Sequence, residues 1–123
     1  MDISLPDNAG EDSFSMLSLL GGQDQPIRSY VVSCSSQGLP SIRGGDWKLI
    51  LGPGSGGWAI GSKDEPIQLY NLRADLGEMQ NLAQTQRSKV HQLQFALESM
   101  IQNGRSTPGK AQKNDVTEVR YPK

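Results

Sequence analysis

The clearest periodic pattern in the chain lies toward its C-terminal end. Apolar residues there recur at spacings of three and four, which places them on one face of a helix. They are Val90, Leu93, Leu97, Met100 and Ile101. The pattern predicts an amphipathic helix over residues 88–103. Asn103 and Gly104 form a C-terminal stop, because glycine readily adopts the left-handed backbone that ends a helix.

Shorter apolar and β-branched runs upstream predict strands. The runs cover residues 27–34, 39–43, 47–51 and 67–72. Gly44-Gly45-Asp46, between the second and third runs, is a three-residue hairpin signal. A long loop over residues 52–66 separates the last two strands and contains Trp58.

A leucine-rich stretch near the N-terminal end predicts a short helix. Asp12 or Ser13 is placed to cap it, and Gly21-Gly22 to end it. The predicted fold class is therefore α+β, with a small antiparallel sheet of about four strands packed against a C-terminal amphipathic helix. We expect a flexible segment at residues 1–11, one folded subdomain at residues 12–103 and a polar tail at residues 104–123.

Composition and charge exclude two classes of partner. The formal net charge is −1 at pH 7, whereas phosphate binding needs a clustered excess of Lys and Arg. Asp115 and Glu118 interrupt the basic residues of the tail, so no nucleic-acid partner is expected. No apolar run approaches the roughly 20 residues of a membrane span, and no membrane partner is expected either.

The glycine-rich stretch that begins at Gly52 resembles a nucleotide-binding loop only superficially. A dinucleotide site needs a helix directly after its last glycine, and Gly61 and Pro66 leave no room for one. A flexible hairpin loop is the default interpretation. A substrate-facing loop is the alternative, because an exposed Trp58 at its tip would be costly without a contact.

The remaining chemically active side chains favour structural roles. His91 is the single histidine and is predicted to face solvent, and Cys34 is the single cysteine and is predicted to be half-buried in a strand. The segment from Asp75 to Glu78 lacks the dense oxygen ligands of a calcium loop. It predicts a turn in which Glu78 and Asn81 satisfy exposed backbone N–H groups.

Two segments together carry a resemblance to a known family. The first is Ile42-Arg43 with Asp46-Trp47-Lys48-Leu49, and the second is Leu69-Tyr70-Asn71-Leu72 with Asp75, Glu78, Asn81 and Leu82. They closely resemble the C-terminal subdomain of bacterial arylsulfatase-like sulfatases, which are sulfuric ester hydrolases. The likeness begins near Asp12-Ser13 and reaches the polar tail, so it covers most of the chain.

The resemblance implies that the chemistry of the parent family lies on another domain. That family uses calcium and a formylglycine nucleophile, which is made in a C/S-x-P/A-x-R motif. Cys34-Ser35-Ser36-Gln37-Gly38 has neither the proline or alanine nor the arginine of this motif, and the family's calcium ligands have no match. The chain alone is therefore expected to be inactive, with no catalytic or metal-ligating residue, and with a missing N-terminal catalytic domain as its partner.

The resemblance also suggests where the chain meets substrate. Many relatives carry a histidine near the end of the strand before the first motif, where this chain has small hydroxyl residues. Ser33 and Ser35 are therefore candidates for a wall of the substrate cleft, together with Trp58 of the glycine-rich loop. The family is often periplasmic or secreted, and the compartment of this chain is left open.

Two functions stay open at this point. In the first, the chain completes the fold of a sulfatase and lines its substrate cleft. In the second, it is a stand-alone, non-catalytic binding or assembly module that forms a homo-oligomer through the uncovered face of its sheet, which bears Ile50.

Overall fold

The computed structural model describes residues 5–54 and 65–118. These residues divide into two compact units, one of residues 5–29 and 98–118 and the other of residues 30–54 and 65–97. The elements are α1 (Leu17–Leu20), β1 (Tyr30–Cys34), β2 (Pro40–Gly44), β3 (Trp47–Ile50), β4 (Gln68–Asn71) and α2 (Arg87–Asn103). The predicted α+β class and its four antiparallel strands are confirmed.

The sheet has the strand order β1-β2-β3-β4, and each neighbouring pair is antiparallel. Ile42, Leu49 and Leu69 are successive cross-strand partners and have no exposed surface. Each such burial contributes roughly 1.5–3 kcal/mol. Because side chains alternate between the two faces of a sheet, this row also decides which residues lie on the opposite face.

The hairpin between β2 and β3 is tighter than predicted. Gly44 belongs to β2 and pairs with Trp47, which leaves Gly45 and Asp46 as a two-residue turn. The prediction of a three-residue loop is therefore wrong. Gly45 has a φ of +57°, the positive value that the first central residue of a type II′ turn requires, and such two-residue turns match the natural twist of paired strands.

Helix α2 covers the apolar face of the sheet. Val90, Leu93 and Leu97 are its buried residues, as the periodic pattern predicts. Leu93 comes so close to β2 that a Cβ placed on Gly44 would lie 3.1 Å from Leu93 Cδ2. The helix begins one residue earlier than predicted and ends at the predicted residue.

The free edge of β4 is covered by the segment that follows it. The Oδ1 atom of Asn81 accepts from the backbone N–H of Leu69 (2.9 Å) and of Ala83 (2.9 Å), and its Nδ2 donates to the carbonyl of Ile67 (3.0 Å). The Leu82 N–H donates to the Leu69 carbonyl at 2.8 Å. The predicted role of Asn81 is confirmed, and these bonds replace those that a further strand would make.

In the other unit, α1 is shorter than predicted and is not capped by the predicted residues. It begins at Leu17, and its N-cap position, Met16, makes no side-chain capping bond. Asp12 is used elsewhere, because its Oδ1 accepts from the backbone N–H of Ser106 at 2.8 Å. The prediction of a cap at Asp12 or Ser13 is therefore wrong.

Several hydrogen bonds join the two ends of the described chain within this unit. Nη1 of Arg105 donates to the Asp7 carbonyl at 3.3 Å. Both the N–H and the hydroxyl of Thr107 donate to the Glu11 carbonyl, at 3.1 and 2.6 Å. Residues of the predicted N-terminal segment thus bond to residues of the predicted polar tail, and the boundaries at residues 12 and 103 stay predictions.

None of the helices in the described ranges has both the length and the apolar character needed to cross a membrane.

We predict that Gly44→Ala destabilises the fold by about 1–3 kcal/mol, the usual cost of overpacking. The new Cβ would lie 2.7 Å from Tyr30 Cε1 and 3.1 Å from Leu93 Cδ2. Urea unfolding of the chain measures the change. Gly77→Ala is the matched control, because its nearest neighbour would be an ordinary 3.5 Å contact with Met79. Equal stability of the two variants would contradict the close packing at Gly44.

We also predict that Asn81→Asp costs about 1–3 kcal/mol at pH 7, since it removes the amide donor and keeps the acceptor. The new carboxylate would face the Ile67 carbonyl and Glu65, both partners of Nδ2. Its folded-state pKa would then be raised, so the loss should shrink as the pH falls toward 4. Asn71→Asp is the control, because Asn71 Oδ1 accepts from Arg73 N–H and a carboxylate can do the same. A loss independent of pH would contradict this account.

Candidate functional site

The face of the sheet that α2 does not cover is polar. Its side chains alternate with the buried row, and the strand register places them on one side of the sheet. They are Ser33, Ser41, Arg43, Lys48, Gln68 and Tyr70, and are called the polar sheet face below. Val31 and Ile50 lie among them and are half-buried.

The two candidate serines have different surroundings. Ser33 lies on the polar sheet face, where its Oγ is 2.9 Å from Ser41 Oγ on the neighbouring strand. Ser35 lies in the turn after β1, and its Oγ accepts from the backbone N–H of Leu39 (3.0 Å) and Gln37 (3.3 Å). Both bonds use Ser35 as an acceptor, which leaves its O–H proton for another acceptor.

The other residues singled out from the sequence have varied outcomes. Trp58 lies outside the described residues. The assignment of Ser33, Ser35 and Trp58 to a substrate cleft stays a prediction. His91 is exposed, as predicted. Cys34 is exposed rather than half-buried, because it is the last residue of β1, at the edge of the sheet.

A buried hydrogen-bonded chain runs across the polar sheet face. The hydroxyl of Tyr70 donates to Gln68 Oε1 at 2.8 Å, and Gln68 Nε2 donates to the carbonyls of Gly52 (2.7 Å) and Gly54 (2.9 Å). Both side chains are buried. Buried polar groups need such partners, because each unpaired one costs about 1–3 kcal/mol. These hydrogen bonds therefore fix Gly52 and Gly54, the first residues of the glycine-rich loop, against β4.

The environment keeps Tyr70 in its neutral, donating form. Burial raises the pKa of Tyr70 above its usual value, and the negative charges of Glu65, Glu78 and Asp75 act in the same direction. Both effects disfavour the phenolate. The hydroxyl therefore remains a donor to Gln68 throughout the neutral range.

The turn after β4 carries the acidic residues. Backbone N–H groups of Gln80 and Met79 bond to the Asp75 carboxylate and lower the pKa of Asp75, since they stabilise its charged form. Glu78 has a φ of +54°, and its carboxylate lies 2.6 Å from Lys48 Nζ. The predicted turn is confirmed, but Glu78 does not fill its predicted role, because it pairs with a charged group on the polar sheet face.

Gln68 and Tyr70 are the residues that the sequence analysis missed. Their signal is visible in Gln68-Leu69-Tyr70, where a strand alternates polar, apolar and polar. That alternation predicts that Gln68 and Tyr70 share a face. It does not show that the earlier residues Gly52 and Gly54 lie against Gln68, since that depends on contacts between residues far apart in the sequence.

The described residues do not fit the cofactors that the sulfatase resemblance implies. Among residues 5–54 and 65–118, no three His, Cys, Asp or Glu side chains come together as a metal site would need. Cys34 also lacks the motif from which formylglycine is made. No step of ester hydrolysis is therefore assigned to these residues.

We predict that Tyr70→Phe lowers the free energy of unfolding by about 1–3 kcal/mol, because Gln68 Oε1 loses its buried donor. The raised pKa also makes the wild type lose stability as the pH rises above about 10, where the unfolded chain releases the proton more readily. The variant should lack this part of the alkaline decline. Urea unfolding between pH 7 and 11 measures both effects.

Tyr30→Phe is the matched control for this experiment, because the Tyr30 hydroxyl is not part of the hydrogen-bonded chain. An alkaline decline that is the same in Tyr70→Phe and in the wild type would contradict the assignment.

A search of protein-family models finds no match for this chain. Individual proteins do match. The chain is 34% identical over 102 residues to an N-acetylgalactosamine-6-O-sulfatase of Bacteroides thetaiotaomicron. The aligned region covers 78% of the chain and 20% of that protein. A solved sulfatase structure, described with the metabolism of multiple glycosaminoglycans by the same organism, matches with a TM-score of 0.65 and 32% identity.

The structural match covers 79% of the chain and 21% of the solved protein. The chain thus spans about a fifth of the length of the relatives that it matches. The two motifs read from the sequence lie in β2, β3, β4 and the turn after β4, which form most of the described sheet. The similarity in sequence and the similarity in fold agree, and together they show that this chain resembles a C-terminal-like fragment of a sulfatase.

Proposed function

We propose that the chain completes the fold of a sulfuric ester hydrolase and forms one wall of its substrate cleft. The observation that carries this proposal is the match to two sulfatases over nearly four-fifths of the chain but only about a fifth of their length. A subdomain of this kind contributes shape and contacts, while the reaction takes place on the larger part of the enzyme.

The proposed substrate class follows from the same relatives. One is an N-acetylgalactosamine-6-O-sulfatase, and the other is described with the metabolism of glycosaminoglycans. We therefore propose a sulfated amino sugar of a glycosaminoglycan as the substrate of the complete enzyme. Calcium and formylglycine would be supplied by its catalytic part.

Ser33, Ser35 and Trp58 are the proposed contacts to that sugar. Support for the first two comes from their position, since Ser33 is exposed on the polar sheet face and Ser35 lies in the turn that directly follows the same strand. A hydroxyl can donate to a sulfate or a sugar oxygen and can accept from a sugar hydroxyl. Trp58 would offer an apolar ring to the sugar face.

The first test compares activity in two contexts. The 123-residue chain alone, with calcium, should not release sulfate from N-acetylgalactosamine 6-sulfate. A chimera, in which the chain replaces the matching fifth of the Bacteroides N-acetylgalactosamine-6-O-sulfatase, should release it. Calcium-dependent turnover by the chain alone would overturn the proposal, and so would a folded but inactive chimera.

The second test addresses the cleft wall within that chimera. Ser33→Ala should raise KM about tenfold, the effect of losing one hydrogen bond to a charged group. Ser36→Ala is the matched control, since Ser36 is an exposed serine in the neighbouring turn. Equal KM values for the two variants would remove Ser33 from the cleft, and a concentration-dependent oligomer of the chain alone would favour the assembly module instead.

A further inference from the structure

An apolar surface on α1 is not explained by the sheet or by the proposed cleft wall. Three side chains there are largely exposed: Leu17 at 76% and Leu20 at 82% in α1, and Met16 at 52% in its N-cap position. Their positions i, i+1 and i+4 place them on one side of a single helical turn. These three residues are called the α1 apolar surface.

The backbone holds this surface in a fixed arrangement. The N–H of Gln23 donates to the Ser18 carbonyl at 2.9 Å, and the N–H of Gly22 to the Leu19 carbonyl at 3.0 Å. Gly22 has a φ of +83°. These two bonds around a left-handed glycine form a Schellman motif. An isolated four-residue helix has little stability of its own, so this closure keeps three apolar side chains on an ordered, outward-facing turn.

We propose that the α1 apolar surface docks onto the larger, catalytic part of a sulfatase. This inference rests on the proposed function and adds the surface through which it is carried out. The matched relatives extend over about five times the length that this chain covers. The occupant is therefore the sulfatase body that the relatives have and this chain does not supply.

The size of the surface favours this occupant over a second copy of the chain. Three such side chains offer on the order of 300 Å² of apolar area, whereas a stable interface between separate proteins needs about 800 Å² from each partner. A body joined to the subdomain by the chain itself has a high effective concentration and needs less area. A self-associating dimer would need much more surface than α1 presents.

The chimera described above tests this docking with the double variant Leu17→Ser/Leu20→Ser. Because both leucines are exposed, the variant should leave the thermal unfolding of the chain alone unchanged. In the chimera it should lower the yield of folded, active enzyme about tenfold, because two apolar contacts are lost. Leu76→Ser is the matched control, with an exposure of 84% and a position in the turn after β4, and should change neither protein.

Each other outcome is decisive. A double variant that is as stable and active as the unaltered chimera overturns the docking surface and leaves the proposed function standing. An unaltered chimera that is inactive removes both. Destabilisation of the chain alone would place the leucines in its own core. A dimer of the chain alone that the double variant dissociates would make a second copy the occupant.

Discussion

The row of Ile42, Leu49 and Leu69 is the constraint on which the rest of the sheet depends. These residues are direct cross-strand partners, and none has exposed surface. A slip of one residue between any two strands would turn one of them to the opposite face. The row therefore fixes the register of β2, β3 and β4 at once, and with it which of their residues lie on the polar sheet face.

Helix α2 makes that register possible by covering the row. Leu93 packs where Gly44 has no side chain, and the ring of Tyr30 lies against the same glycine. The single missing side chain thus lets helix, hairpin and edge strand approach each other. The two neighbouring glycines are therefore needed for different reasons. Gly44 allows close packing, and Gly45 adopts a positive φ.

The polar sheet face contains both buried and exposed polar side chains. Its buried members, Gln68 and Tyr70, have all their strong donors and acceptors directed within the chain, toward each other and toward the glycine-rich loop. Its more exposed members include Ser33 and Arg43. The face thus combines a buried, hydrogen-bonded pair with an exposed hydroxyl and an exposed guanidinium group, and the exposed groups are those that the proposed cleft wall would use.

The sequence predicted the parts of this fold that depend on local periodicity. Spacing and residue chemistry within a few positions predict the buried apolar face of α2 and the end of this helix before Gly104. They also predict the role of Asn81. Two of the errors arose where distant residues compete. Asp12 bonds to Ser106 instead of capping α1, and Glu78 pairs with Lys48, thirty positions away.

The candidate site was predictable only in part, for the same reason. The resemblance to sulfatases drew attention to Ser33 and Ser35, which lie next to the first motif. The pairing of Gln68 with Gly52 and Gly54 joins residues 14 to 16 positions apart, and no local pattern encodes it.

The central claim is that the sheet has its own core, whereas the α1 apolar surface depends on a sulfatase body to cover it. Amide hydrogen exchange, measured on the chain alone and within the chimera, tests this claim most directly. We expect the amides of Ile42, Leu49 and Leu69 to be protected in both proteins, and those of α1 to gain protection only in the chimera. A sheet that exchanges freely in the chain alone, or an α1 that gains nothing in the chimera, would contradict the account.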